Sequence, residues 1–241
     1  MQNLRVTLWV YGIALRRAME CVRKNWVVSL APAAYGIILT VVVSLVAPLG
    51  FIGGLLYSLA TSACISSGLY LIKNMVDTGK TDANDFLYGF TAFIWDVVTV
   101  GFILWIPLRL ASMGLATVPN GALLYLCIQL ALYILLNAVP ELIYQGRVTG
   151  LELLSASYNF VVENWIEWLI PNIALAVAGY WLLQIFDTLI VGLPLLVQLF
   201  LHAFALGLCL TYFMTFRGFL FAELHGTTQR SRLYRYKARV G

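Results

Sequence analysis

Hydrophobic positions in this chain run in long unbroken blocks, not in the alternation of a half-buried strand. No charged residue stands between Lys24 and Lys73, and the stretch from Asn25 to Ile72 has room for two membrane-crossing helices of ~20 residues each. Pro48-Leu49-Gly50 and Gly53-Gly54 interrupt it midway as a turn signal. The first two spans are therefore expected at about 27–47 and 52–72. The same reading predicts spans at about 92–112, 122–143, 166–187 and 192–216, with turns at 113–121 and at Gly192-Leu193-Pro194. Strands of a membrane barrel would alternate apolar and polar positions over ~10 residues. These blocks are longer and apolar on every side, and a helix satisfies its own backbone in lipid.

Composition sharpens the picture. Of 241 residues 61% are hydrophobic and 11% charged, and the mean hydropathy is +0.88. An ordinary soluble domain carries about 25% charged residues, so a water-facing globular surface and a disordered chain are both excluded. The stretch from Val6 to Leu15 is too short, and lacks the small-residue cleavage pattern, for a signal peptide; it is read as retained. Cys21, Cys64, Cys127 and Cys209 show no metal or disulfide spacing, and the last three sit in apolar runs as small hydrophobes.

Charge then orients the spans. Among the 15 lysines and arginines, all but Arg109 fall on the side that holds the segment before span 1, the 73–91 and 144–165 loops and the tail after span 6. The positive-inside rule makes that side cytoplasmic, with both termini there, and an odd number of spans would divide the cations between faces.

An internal repeat is visible. Asn25-Trp26-Val27-Val28-Ser29-Leu30-Ala31-Pro32 matches Asn164-Trp165-Ile166-Glu167-Trp168-Leu169-Ile170-Pro171 at Asn, Trp, Leu and Pro. Gly79-Lys80 before Asp85-Phe86-Leu87 echoes Gly146-Arg147 before Glu152-Leu153-Leu154. The inferred unit is an amphipathic helix in the headgroup plane, a span, a short outer turn and a second span. It occurs at about 4–73, 81–143 and 150–216. The lead-in helix shows best in the third unit. There Glu152, Ser155, Asn159 and Glu163 form one polar stripe opposite Leu151, Leu154, Tyr158, Val161 and Trp165. In the first, Arg5, Arg16, Glu20 and Arg23 lie over Leu8, Leu15, Met19 and Val22. Asn at the junction is expected to cap the new helix and Trp to set its depth. Pro32 and Pro171 lie past the first turn and are expected to kink their spans. The fold class is thus all-α polytopic: six transmembrane helices as three hairpins, each preceded by a cytoplasmic interfacial helix. Residues 1–226 form one domain and 227–241 a basic tail.

Ionisable groups inside such a bundle cost roughly 2.5–3.5 kcal/mol each at mid-helix and are the default site candidates. They are Asp96, Arg109, Glu141, Asp187 and His202. Arg109 and Asp187 both lie near outer ends, where an ion pair between them and snorkelling of Arg109 to the outer headgroups are equally open readings. Asp96 and Glu141 lie near cytoplasmic ends, where interfacial solvation is the plainer reading. His202 reads as a packing or hydrogen-bonding residue rather than a ligand. Gly53, Gly54, Gly68, Ala174, Ala176, Ala178 and Gly179 are expected to mark close helix approach. No P-loop, dinucleotide turn, HExxH or GxSxG occurs, so no cofactor, metal or catalytic residue is assigned. In the tail, Arg230, Arg232, Arg235, Lys237 and Arg239 are read as cations held to an anionic leaflet, worth ~1 kcal/mol each. Nucleic acid is not an expected partner.

The lead-in helix ending in Lys24-Asn25-Trp26, the Gly79-Lys80 turn with Asp85-Phe86-Leu87, and the six spans resemble a group of bacterial membrane proteins. These are related to the membrane domain attached to some glycerophosphodiester phosphodiesterases. The resemblance implies a bacterial inner-membrane location and brings no catalytic residue, because the soluble phosphodiesterase domain is absent. The expected function is non-enzymatic handling of a lipid or small solute within the bundle. The alternative is a scaffold or subunit that binds a protein partner, or a second copy, through the cytoplasmic helices and tail.

Overall fold

Each apolar block becomes a helix because lipid offers its backbone no other partner. The computed structural model describes residues 2–146 and 148–240, without the side chains of 2–4, 229, 239 and 240; Arg147 and the Arg239 side chain lie outside it. The chain is 88% helical, and no strand occurs among the described residues. In order come α1 (Gln2–Lys24), a 3-10 turn (Trp26–Leu30), α2 (Ala31–Val46), a second 3-10 turn (Ala47–Leu49) and α3 (Phe51–Asp77). Next follow α4 (Ala83–Ala92), α5 (Ile94–Leu115), α6 (Gly121–Leu135), α7 (Val139–Gln145) and α8 (Gly150–Glu163). The series closes with α9 (Trp165–Ile190), α10 (Leu195–Leu224) and α11 (Gln229–Val240).

Six stretches are long and apolar enough to cross a membrane: Trp26–Leu49, Phe51–Asp77, Ile94–Leu115, Gly121–Gln145, Trp165–Ile190 and Leu195–Leu224. The chain is therefore described as a multi-pass integral membrane protein. Consecutive spans touch: α2 packs on α3, α5 on α6 and α9 on α10.

The helices that precede α2, α5 and α9 each stop at a single residue with nearly the same backbone. These are Asn25 (φ −118°, ψ 36°), Phe93 (φ −129°, ψ 13°) and Asn164 (φ −121°, ψ 23°). A tryptophan follows at once after the two asparagines, and one residue later after Phe93. Neither asparagine caps the helix it precedes, contrary to expectation. Each instead turns its amide back, Asn25 Nδ2 to Cys21 O at 2.9 Å and Asn164 Nδ2 to Phe160 O at 3.1 Å. Asn25 also holds the loop before α4: it donates to Gly79 O (3.0 Å) and accepts from the Thr81 amide (3.1 Å). Pro32 does not kink a span. The 3-10 turn ends at Leu30, α2 starts afresh at Ala31, and Pro32 falls in its first turn, where no amide hydrogen is needed. Pro171 lies inside α9 as expected.

The core sits at one end of the molecule. Its larger cluster joins Val10, Ala14 and Ala18 of α1, Leu142 of α7, Leu153 and Phe160 of α8, Trp168 of α9, and Phe216, Leu220 and Phe221 of α10. A second cluster joins Cys21, Val22, Leu69, Ile72, Met75 and Tyr144. This end carries α1, α4, α8 and α11, and is called the basic end below. Away from it the spans are little enclosed by one another. In the most apolar stretch of α3 39% of residues are enclosed, but only 6–11% in the other five.

Three hydrogen bonds fix α4 against α3: Ser66 Oγ to Gly89 O (2.6 Å), Ser67 Oγ to Phe86 O (2.8 Å) and the Phe93 amide to Ser66 Oγ (2.8 Å). Glycine is required at that crossing, because a Cβ on Gly89 would lie 2.7 Å from Ser67 Cα. Asp82 and Asp85 form a capping box that starts α4.

Candidate functional site

Three places inside the molecule are candidates for a site, two polar and one apolar. The first is a knot at the basic end. α6 ends at Leu135, and α7 restarts at Val139 with Pro140 in its first turn. The three-residue break releases backbone carbonyls from the helical ladder, and Arg217 of α10 donates to that of Asn137. The same guanidinium forks onto Glu141, Nε to Oε1 and Nη2 to Oε2, both at 2.7 Å. It lies over the Trp168 ring at 5.1 Å and near Phe213 at 5.5 Å. Trp168 Nε1 donates to Asn137 Oδ1 at 3.1 Å, and Gln145 Nε2 donates to Gly218 O at 3.1 Å. α7 comes this close because residue 218 has no side chain; a Cβ there would meet Tyr144 Oη at 2.7 Å.

Glu141 was expected to be solvated at the interface. It is instead fully enclosed, because the break in span 4 turns α7 into the core. Its partner Arg217 reads from sequence as one more topology-setting cation. At 1.5 Å rise per residue, Glu141 lies ~6 Å and Arg217 ~10 Å from the ends of their helices, similar depths. That match, with a lone Arg inside an apolar run, is the signal that the two could meet. Paired, forked and stacked, Arg217 has its charge matched on all sides. The knot can brace four helices; it leaves no open carboxylate for acid–base work.

The second place lies toward the other end of α9 and α10. His202 Nδ1 lies 2.7 Å from Asp187 Oδ1, with both side chains partly exposed. The Arg109–Asp187 pair does not form. Asp187 faces α10, while Arg109 is on α5, which packs chiefly on α3, α6 and α8, and Arg109 is exposed. Asp96 stands half-buried in the first turn of α5. So the five expected interior residues do not converge: two pair with each other, one pairs with Arg217, and two stand apart.

The third place is a groove of about 340 Å³ between α9 and α10, lined by apolar side chains with Ala176, Ala178 and Gly179 at its floor. These small residues were expected to draw helices together. A Cβ on Gly179 would meet nothing within 4 Å, nor would one on Gly54. Of the residues expected to mark close approach Gly53 does so, its Cβ position lying 2.0 Å from Val46 O, and further close approaches fall at Gly89, Gly207 and Gly218. A Cβ on Gly207 would lie 1.8 Å from Ser29 O.

The tail residues separate by face. Arg230 and Lys237 are exposed on α11. Arg235 bonds Glu223 at 3.1 Å, as Arg17 does at 3.4 Å. Arg232 is not a surface cation: it is 6% exposed, enclosed where α11 packs on α1. Trp9 and Tyr236 seal that contact edge to face, centroids 5.6 Å apart. Among the described residues no three His, Cys, Asp or Glu side chains gather as a metal site would need. Compared with protein-family models, curated proteins and solved structures, the chain has no significant match in any of the three.

Proposed function

We propose that this chain is a non-enzymatic lipid-handling protein of a bacterial inner membrane, and that its α9–α10 groove receives an acyl chain. The groove itself carries the reading. Its volume falls in the range of small-ligand pockets, ~300–1,000 Å³. Its walls are apolar and it lies within the spans, where hydrocarbon is the available occupant. The space at Gly179 is real room rather than a helix contact.

The supporting architecture is a threefold unit of lead-in helix, span and span, in a single domain. Its support is the shared backbone at Asn25, Phe93 and Asn164 together with the Asn-Trp match. Leu8 and Met19 on α1, Leu87 and Tyr88 on α4, and Leu151 and Tyr158 on α8 are exposed apolar groups beside buried ones. That pattern favours helices lying in the headgroup plane. Lysine and arginine bias favours a cytoplasmic basic end, and the resemblance to phosphodiesterase membrane domains favours the inner membrane.

The test is lipid retention. In Gly179→Leu the groove is filled without a backbone clash. Native mass spectrometry of the chain released from lipid discs should then show about one fewer retained lipid per chain. Gly101→Leu, on α5 and equally open, should retain the parent number. Equal retention by both variants and the parent would reject the reading.

A further inference from the structure

A cleft of about 610 Å³ lies between α8 and the turn joining α10 to α11. Phe160 supplies apolar wall, and Asn159, His225, Thr227, Thr228 and Arg232 supply polar groups; Glu163 stands on its α8 side. Arg232 is the unusual member. Its Nε is buried and has no hydrogen-bond partner, and its Nη2 reaches Asn164 Oδ1 only at 3.5 Å. A guanidinium carries five donors in a planar fork, and a buried donor left unmade is costly. On its other side Arg232 borders a smaller pocket with Tyr11 and Glu167. Glu167 attracts it there and Arg235 opposes it. Burial, with Glu167 beside it, pushes the Tyr11 hydroxyl up to about 12, so that group stays neutral. Thr227 and Thr228 lead directly into α11, where Thr228 Oγ1 accepts the Ser231 amide at 3.3 Å. The positive end of the α11 dipole thus lies beside the same cleft.

We propose that this cleft binds a phosphate-class anion, with Arg232 as its charge partner and the Thr228 and His225 side chains as hydrogen-bonding flanks. The proposal does not depend on the α9–α10 groove, which involves different residues. A phosphate can arrive as a lipid headgroup, since the cleft adjoins the ends of α9 and α10, or as soluble phosphate.

The experiment uses the full chain in phosphatidylcholine discs, titrated with inorganic phosphate and followed by phosphorus NMR line broadening. A second set of discs contains phosphatidic acid. Saturable binding of one probe is expected, and Arg232→Gln should weaken it about tenfold or more, the scale of a charge-assisted hydrogen bond. Arg230→Gln, on the exposed face of α11, should stay within about twofold of the parent. Arg232→Gln also removes packing under α11, so a second variant, Asn159→Trp, fills the cleft from α8 and should give the same loss. Phosphate displaced by phosphatidic acid identifies the headgroup as the source; phosphate bound equally in both discs identifies the soluble ion. Absence of saturable binding by either probe, or parent-like binding by Arg232→Gln and Asn159→Trp, overturns the proposal. Gly179→Leu should leave phosphate binding unchanged, which separates this result from that of the groove.

Discussion

Glu141 and Arg217 hold two opposite charges in a setting where neither tolerates being alone. Removing one partner of such a pair costs about 3–5 kcal/mol, because the other charge is left enclosed. Arg217→Leu or Glu141→Leu should therefore lower the unfolding temperature of the purified protein sharply. The double variant, with no charge left to desolvate, should recover much of the loss; a double variant no better than the singles would show that the pair is not the source. Single residues of this kind were partly legible in the sequence. Glu141, Asp187 and His202 stand out as ionisable groups among apolar neighbours, and all three proved to be paired. Their partners were not legible, because pairing depends on which helices touch and how their faces turn. Depth in the membrane offers Arg109 alone as a partner for Asp187, and its pairing with His202 follows from α9 and α10 lying side by side. Arg232 was hidden for another reason. A basic residue in a basic tail carries no mark of burial until α11 is seen packed on α1.

At the scale of elements the spans were read well, since long apolar blocks need no tertiary information. What escaped was the local breaks. The 3-10 turn at Trp26–Leu30 resets the helix start and gives Pro32 an ordinary first-turn place. The break at residues 136–138 divides the fourth span and feeds the knot. Glycine roles were only partly legible, Gly53 as expected but Gly54 and Gly179 not, because a glycine in a span looks the same whether it touches a neighbour or faces a gap. The contact distances separate the two classes. Gly89→Ala forces a Cβ toward backbone at Ser67 and should destabilise the docking of α4 by about 1–3 kcal/mol, the usual range for overpacking. Gly54→Ala, with open space around it, should fall within about 0.5 kcal/mol of the parent. Thermal unfolding of the two variants side by side checks this, and equal losses would refute the distinction.

For the whole molecule, the asymmetry of packing and the asymmetry of charge coincide. Both hydrophobic clusters, α11 and most of the cations lie at one end, while little of five of the six spans is enclosed by protein. The orientation proposed from charge has a direct check in intact cells. Single cysteines placed in a cysteine-free background at Lys24, Lys80 and Thr228 should resist an impermeant maleimide, and those at Thr117 and Leu193 should react. All-or-none labelling at this contrast, about tenfold or more in extent, follows if the positive-inside rule holds here. Reaction on the same side for Lys80 and Thr117 would break the six-span arrangement.

The packing of α1 has a consequence for the order of events during synthesis. Its main neighbour is α10, and α11 closes over it as well, so the helix that leaves the ribosome before every span has its partners made last. Until then Val6, Val10, Ala14 and Ala18 have no protein surface to cover them. The bilayer surface is the natural place for them to wait until α10 has inserted. Closure of the basic end over α1 should therefore follow insertion of α10 rather than accompany that of the first spans.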